Sequence, residues 1–115
     1  MAVVTHDLIT YVDANELEWQ QTKPKVRQKV LFHNPETGQK TLLVQLLPGY
    51  EAEPQQPHQW GEYVYILEGT FIDHNQASPA GTYIHNAPGS NHQPKSPDGC
   101  TFILFVPGSR ADEQG

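Results

Sequence analysis

The sequence predicts an all-β domain of short antiparallel strands, and three observations carry that reading. Nine glycines and ten prolines punctuate 115 residues, and most fall at the ends of short apolar or alternating segments, where they close strands and form turns. Charged residues make up only 17%, against roughly 25% in an average globular chain, which leaves few for the solvated faces of helices. The one helix start is Asp13-Ala14-Asn15-Glu16, with Asp13 placed to cap a short turn and Glu16 three residues later. Lys23-Pro24 ends any helix there. With no crossover helices a parallel βαβ fold is disfavoured, and the pattern reads as a sandwich, barrel or jelly roll.

Residues 1–24 show no sustained period. From Val26 onward the reading is β throughout. Val26–Phe32 is strand-like, and Asn34-Pro35-Glu36-Thr37-Gly38 is a turn. Thr41–Leu47 is a nearly continuous apolar run that suits a strand buried on both faces, and it closes at Pro48-Gly49. A loop over residues 50–61 leads into Tyr63–Leu67, with a turn at Glu68-Gly69. Thr70–Asp73, a turn through Asn75–Gly81, and Thr82–His85 follow. After Pro88-Gly89, a short Asn91–Gln93 segment and the Pro97-Asp98-Gly99 turn lead to Cys100–Val106. The reading is one domain over residues 1–115, with its core at about residues 10–107 and a frayed tail over 108–115.

Composition bounds the function. Seven basic against thirteen acidic residues give a net charge of −6. That sign repels phosphate backbones and anionic lipid, so neither nucleic acid nor a membrane is an expected partner. No apolar run approaches the roughly 20 residues of a membrane helix. The N-terminus lacks the basic segment of a signal peptide. A lone cysteine, Cys100, excludes an internal disulfide and fits a reducing, cytoplasmic compartment. Standing at a strand start with no evident base nearby, it reads as a small buried hydrophobe.

Four polar side chains stand out by placement: Gln56, His58, Glu62 and His92. Gln56 and His58 are two apart and share a face on extended backbone. Glu62 opens the next strand, and His92 follows the Pro88-Gly89 turn. Two histidines and one carboxylate are the ligand set of a mononuclear non-haem iron site with open positions, though imidazole also suits zinc, nickel, copper or manganese. A Gln oxygen is a weak neutral donor. His6, His33 and His74 lie in terminal or turn contexts and read as solvated. His85 lies in a strand, facing either the pocket or the outside. Tyr63 and Tyr65 alternate with Val64 and Ile66 and read as core in preference to substrate contacts. The second apolar face of that strand needs cover, from the other half of a barrel or from another subunit.

The stretch Gly49…Gln56-Pro57-His58-Gln59-Trp60-Gly61-Glu62…Gly69 resembles the first cupin motif, a Gly, His-x-His, three or four residues, Glu, six residues and Gly. Gly81-Thr82-Tyr83-Ile84-His85-Asn86-Ala87-Pro88-Gly89-Ser90-Asn91-His92 resembles the second, Gly-x5-Pro-x-Gly-x2-His. Leu67–Asp73 (LEGTFID), Ala87–His92 (APGSNH), Ser96–Cys100 (SPDGC), Trp19 and Lys29–Leu31 (KVL) resemble the ChrR-type cupins in particular. The resemblance implies an antiparallel jelly-roll barrel with one divalent metal ion in its mouth, Fe(II) first, with Zn, Ni or Mn as alternatives. It places the second His at His58, the Glu at Glu62 and the last His at His92. Gln56 takes the first His position, Ala87 replaces Pro, and Ser96 replaces an Asn that often follows the last His. A second register makes His58 the first His and Trp60 the replaced second, and it keeps the same three strong donors.

The activity this implies is a metal-dependent dioxygenase acting on a small diketone or hydroxylated aromatic ketone. The alternatives are a non-catalytic sensor or binding cupin, and a metal-dependent isomerase, cyclase or lyase. The family's namesake carries an N-terminal zinc-binding helical domain with anti-sigma activity. Residues 1–24 hold no Cys and only His6, so the expectation is a stand-alone cupin, its expected partners being a small-molecule substrate or ligand and a second copy in a homodimer.

Overall fold

The alternation of inward and outward side chains folds most of the chain into one curled antiparallel sheet, with a separate two-stranded hairpin at the N-terminal end. The structure, a computed structural model, describes residues 1–108, so the expected frayed tail lies outside the described residues except for Gly108. The strands are β1 (Val3–His6), β2 (Ile9–Val12), β3 (Gln20–Lys23), β4 (Val26–His33), β5 (Lys40–Leu46) and β6 (Tyr50–Glu51). They continue with β7 (Glu62–Asp73), β8 (Gln76–Pro79), β9 (Tyr83–Asn86), β10 (Lys95–Ser96) and β11 (Cys100–Val106). No α-helix is present among the described residues; Asp13 does cap a 3-10 turn over Ala14–Glu16, accepting from the Asn15 amide.

The main sheet runs β3-β4-β5-β11-β7-β10-β6, with β8 and β9 also paired to β7. All pairings are antiparallel. β7 belongs to both halves of the curl. Its first residues pair with β9 and β11, and its last pair with β8 and β10. The result is the jelly-roll half-barrel that the sequence predicts. Its concave side holds a core including Leu42, Val44 and Leu46 of β5, Val64 and Ile66 of β7, and Phe102 of β11. Burying a side chain such as Ile66 stabilises the fold by about 1.5–3 kcal/mol.

Several local expectations are corrected. Glu68-Gly69 is not a turn: β7 runs unbroken through it, and the ladder to β11 slips by one residue, from Phe102↔Ile66 to Thr101↔Glu68. The extra residue makes a β-bulge, which bends the strand and reverses which parity faces inward. Before it Val64 and Ile66 are buried; after it Phe71 packs on the core, its ring 5.4 Å from that of Phe102. Gly69 sits there at φ +75°, and a Cβ on it would collide with the Gly99 carbonyl oxygen and stand 2.8 Å from Cys100 Cα.

Residues 1–24 hold three strands that the sequence did not reveal. β1 and β2 form a separate hairpin, closed by Asp7 and Leu8, both at positive φ. That turn usually carries Asn-Gly or Asp-Gly. β3 is an exposed, wholly polar edge strand and so lacks an apolar signature. The Asn75–Gly81 turn contains β8, reached by a tight turn at His74 and Asn75. Residues 91–93 are loop, not strand. β5 buries one face, Leu42, Val44 and Leu46, while Leu43 and Gln45 stay partly exposed.

Tyr63 and Tyr65 are not core. They point to the convex face, where Tyr63 stacks on His85 at 4.9 Å and Tyr65 is 45% exposed. His85 thus faces outward. Lys29 on β4 is buried, which is tolerable because its ammonium donates to the Ala14 carbonyl at 2.7 Å and lies over the Trp19 ring at 4.7 Å. These contacts tie the N-terminal segment to the sheet. Cys100 is buried as expected, and burial pushes its thiol up, offset in part by a hydrogen bond with Ser96. Such a thiol is a poor nucleophile.

Because Gly69 combines positive φ with a backbone approach that excludes a Cβ, Gly69→Ala is expected to destabilise the fold by at least about 2 kcal/mol. Urea unfolding checks this; an unchanged midpoint would mean that β7 does not need glycine at its bulge.

Candidate metal centre

Glu62 is the first residue of β7 and shares the inward face of Val64 and Ile66. His58 comes from the preceding loop, over residues 52–61, and its ring packs against Trp60 at 4.7 Å. His92 lies in the loop between β9 and β10. The two loops are joined where the Gly89 amide donates to the His58 carbonyl at 2.6 Å. Gly89 is at φ +89°, so the Pro88-Gly89 turn found in the sequence is what brings the last histidine back to the first.

The three side chains converge. Nε2 of His58 is 3.9 Å from Glu62 Oε1, and Nε2 of His92 is 3.8 Å from the same oxygen. One donor atom from each residue lies within 4.8 Å of the others. Two atoms sharing an ion at roughly 2.0–2.2 Å each stand at most about 4.4 Å apart, so the Glu62 contacts already fall within that span. The side chains are only 25% (His58), 16% (Glu62) and 11% (His92) exposed. Two imidazoles and a carboxylate are a donor set that fits a divalent first-row metal with open positions. Gln56 is exposed on the loop that carries His58, two residues before it.

One participant has no place in the sequence reading. Asp73, the last residue of β7, is 14% exposed, and its Oδ2 lies 3.4 Å from His92 Nδ1. Its Oδ1 accepts from the Gln93 amide at 3.1 Å. Ser90 Oγ is 3.3 Å from His92 Nε2. Asp73 belongs to the LEGTFID stretch, but its inward direction depends on the bulge at Leu67–Gly69. Read as a turn, that segment gives no strand phase from which to place it.

Among the described residues no Lys or Arg forms an ion pair with Glu62 or Asp73; the charged partners within reach of both carboxylates are imidazoles. A cavity of about 420 Å³ lies against His92 and Asp73, lined also by Glu51, His74, Asn91 and Lys95. It is large enough for a small molecule. His74 is on this rim, 69% exposed, with Nε2 2.8 Å from the Asn91 carbonyl oxygen.

The ChrR Cupin-like domain matches residues 9–109. The chain belongs to this cupin family. No curated protein matches the sequence. Among solved structures, an RmlC-like cupin from Ralstonia eutropha JMP134 superposes with a TM-score of 0.74 at 23% identity, over 84% of this chain and 66% of that one. A putative acetylacetone dioxygenase from Methylibium petroleiphilum PM1 gives 0.75 at 16% identity, over 91% and 78%. The Rhodobacter sphaeroides SigE complex with the anti-sigma ChrR gives 0.69 at 20%, over 82% and 51%. This cupin therefore spans just under two thirds of the first relative and about half of the third. At these identities the likeness is one of fold. No helix among the described residues is long and apolar enough to cross a membrane.

If the three converging groups hold one ion, removing either imidazole removes the site. Co(II) or Zn(II) at about 100 times its Kd should stabilise the wild type by about 2.7 kcal/mol, seen as a rise of roughly 10 °C in Tm. His58→Ala and His92→Ala should abolish that rise. A variant that kept full metal occupancy would remove its histidine from the centre.

Proposed function

We propose that this cupin is a metal-dependent dioxygenase acting on a small carbonyl compound, such as a diketone or hydroxylated aromatic ketone. One divalent ion per chain, Fe(II) first, is held by His58, Glu62 and His92, with Gln56 as a weak neutral donor beside them. The observation that supports the reading is the convergence of two imidazoles and one carboxylate on a common point. Bound there, Fe(II) supplies Lewis acidity and oxygen activation.

The chain's own residues do the rest. The concave sheet keeps the donors largely out of water, so their charges act through a lower dielectric. Two neutral imidazoles and one carboxylate leave a divalent ion with one net positive charge, which favours an oxygen-rich chelating substrate. The neighbouring cavity offers that substrate polar partners from Asn91, His74 and Lys95. The likeness in fold to a putative acetylacetone dioxygenase supports the same substrate class.

A second reading, a non-catalytic ligand-binding cupin, is favoured by Gln56 standing where the cupin motif has its first His, and by the fold likeness to the cupin of an anti-sigma factor. Fe(II)-loaded protein offered a panel of diketones should consume oxygen in proportion to substrate cleaved. Turnover of a carbonyl substrate without oxygen uptake would favour an isomerase, cyclase or lyase. Tight ligand retention without turnover would favour the binding module.

The convex face supplies the proposed partner, a second copy of this chain. Tyr65, Leu67 and Tyr83 are 45%, 41% and 60% exposed there, and Tyr65 and Tyr83 are paired across β7 and β9. An apolar strip of this kind is better covered than wetted. Sedimentation should give twice the chain's mass, and Tyr65→Lys with Tyr83→Lys should halve it. A monomeric wild type would exclude the homodimer.

A further inference from the structure

We propose that Asp73 is a positioning residue for the metal centre: its carboxylate holds His92 in the tautomer and orientation that presents Nε2 to the ion. The inference rests on the metal-site reading above and assigns a role to a residue outside its ligand set.

The geometry is that of a clasp with two arms. Oδ1 of Asp73 accepts from the Gln93 amide at 3.1 Å and so fixes the backbone next to His92. Oδ2 stands 3.4 Å from His92 Nδ1 and faces the ring itself. An ionised carboxylate has no proton to give, so the stable arrangement puts the hydrogen of neutral His92 on Nδ1. Nε2 is then left with its lone pair, on the side where Glu62 Oε1 lies at 3.8 Å. Ser90 Oγ, 3.3 Å from Nε2, suits this tautomer because a hydroxyl can donate to a bare nitrogen. A carboxylate behind a ligating imidazole fixes its orientation and strengthens it as a donor, and losing such a partner typically weakens metal binding 10–100-fold.

Asp73 is well placed for this because it closes the same strand that Glu62 opens. A ligand and the support of a second ligand thus share one backbone. His74, next in sequence, is no substitute: its Nε2 bonds the Asn91 carbonyl oxygen at 2.8 Å, and its side chain is 69% exposed.

Asp73→Asn separates the two arms of the clasp. The Asn side-chain oxygen still accepts from the Gln93 amide, so the loop stays anchored. Its amide nitrogen now faces His92 Nδ1 and favours the opposite tautomer, with hydrogen on Nε2 where the ion should bind. Co(II) and Zn(II) affinity is measured by competition with a chromophoric chelator, alongside the Tm of metal-free protein. The 15N shifts of the His92 ring are read in the metal-free state. The expected result is at least a tenfold loss of affinity in Asp73→Asn with the metal-free Tm unchanged, and a His92 ring that carries its proton on Nδ1 in the wild type and on Nε2 in the variant. Affinity within twofold of wild type, or a wild-type His92 protonated on Nε2, would overturn the role of Asp73. A wild type that binds neither metal would overturn the centre itself, and the positioning role with it.

Discussion

The phase of β7 is the constraint on which the site depends. A strand alternates its side chains strictly, so residues eleven apart point to opposite faces unless something intervenes. Glu62 and Asp73 are eleven apart, yet both turn toward His92. The intervening device is the one-residue slip between Ile66 and Glu68 against β11. It converts the even-numbered inward set of Val64 and Ile66 into the odd-numbered set of Phe71 and Asp73. Gly69 makes the slip affordable in space: β11 begins against it so closely that only a residue without Cβ fits. One backbone irregularity thereby brings two carboxylates to one histidine.

Those two carboxylates define the electrostatics of the centre. Both are largely withdrawn from water, and no Lys or Arg among the described residues pairs with either. Withdrawn carboxylates are costly unless they find counter-charge or hydrogen-bond donors. Asp73 accepts from the Gln93 amide and has the His92 ring at 3.4 Å; among the described residues Glu62 has the two imidazole nitrogens at 3.8 and 3.9 Å, beyond ordinary hydrogen-bond distance. Glu62 is therefore the group whose surroundings most need a cation, and it is the group at the convergence point of the proposed ligands. Asp73 is satisfied by protein and need not touch an ion to serve one.

Much of this was legible in the sequence because glycine and proline report local geometry directly. Pro48-Gly49 and Pro88-Gly89 fall at turns where the glycine takes positive φ, and the spacing from His58 to Glu62 and on to His92 anticipated which donors converge. What stayed hidden was information held by partners distant in sequence. Glu68-Gly69 has the composition of a turn, and only its pairing with Cys100 and Thr101 makes it a bulge. Tyr63 and Tyr65 sit in a strand apolar on both faces, so their own sequence does not say which side is the core. Asp7-Leu8 closes a hairpin with Leu in the left-handed region, a position for which Leu carries no signal. Asp73 was visible as a letter in a motif, but its direction was set by the bulge four to six residues earlier.

The centre is also built asymmetrically. Glu62 and, through Asp73, His92 are referred to a single strand that pairs with β9 and β11 over its first part and with β8 and β10 over its last. His58 stands on a loop without regular structure, held by the Gly89 amide and by Trp60. Gln56 lies on that same loop and is exposed. The departure from the cupin motif therefore falls on the half of the site that the fold constrains least. A change of donor on the strand side would disturb β7 and the core residues that share its face; a change at Gln56 disturbs neither. The loop side is where a chain of this architecture can alter the donors of its candidate metal site while leaving the barrel intact.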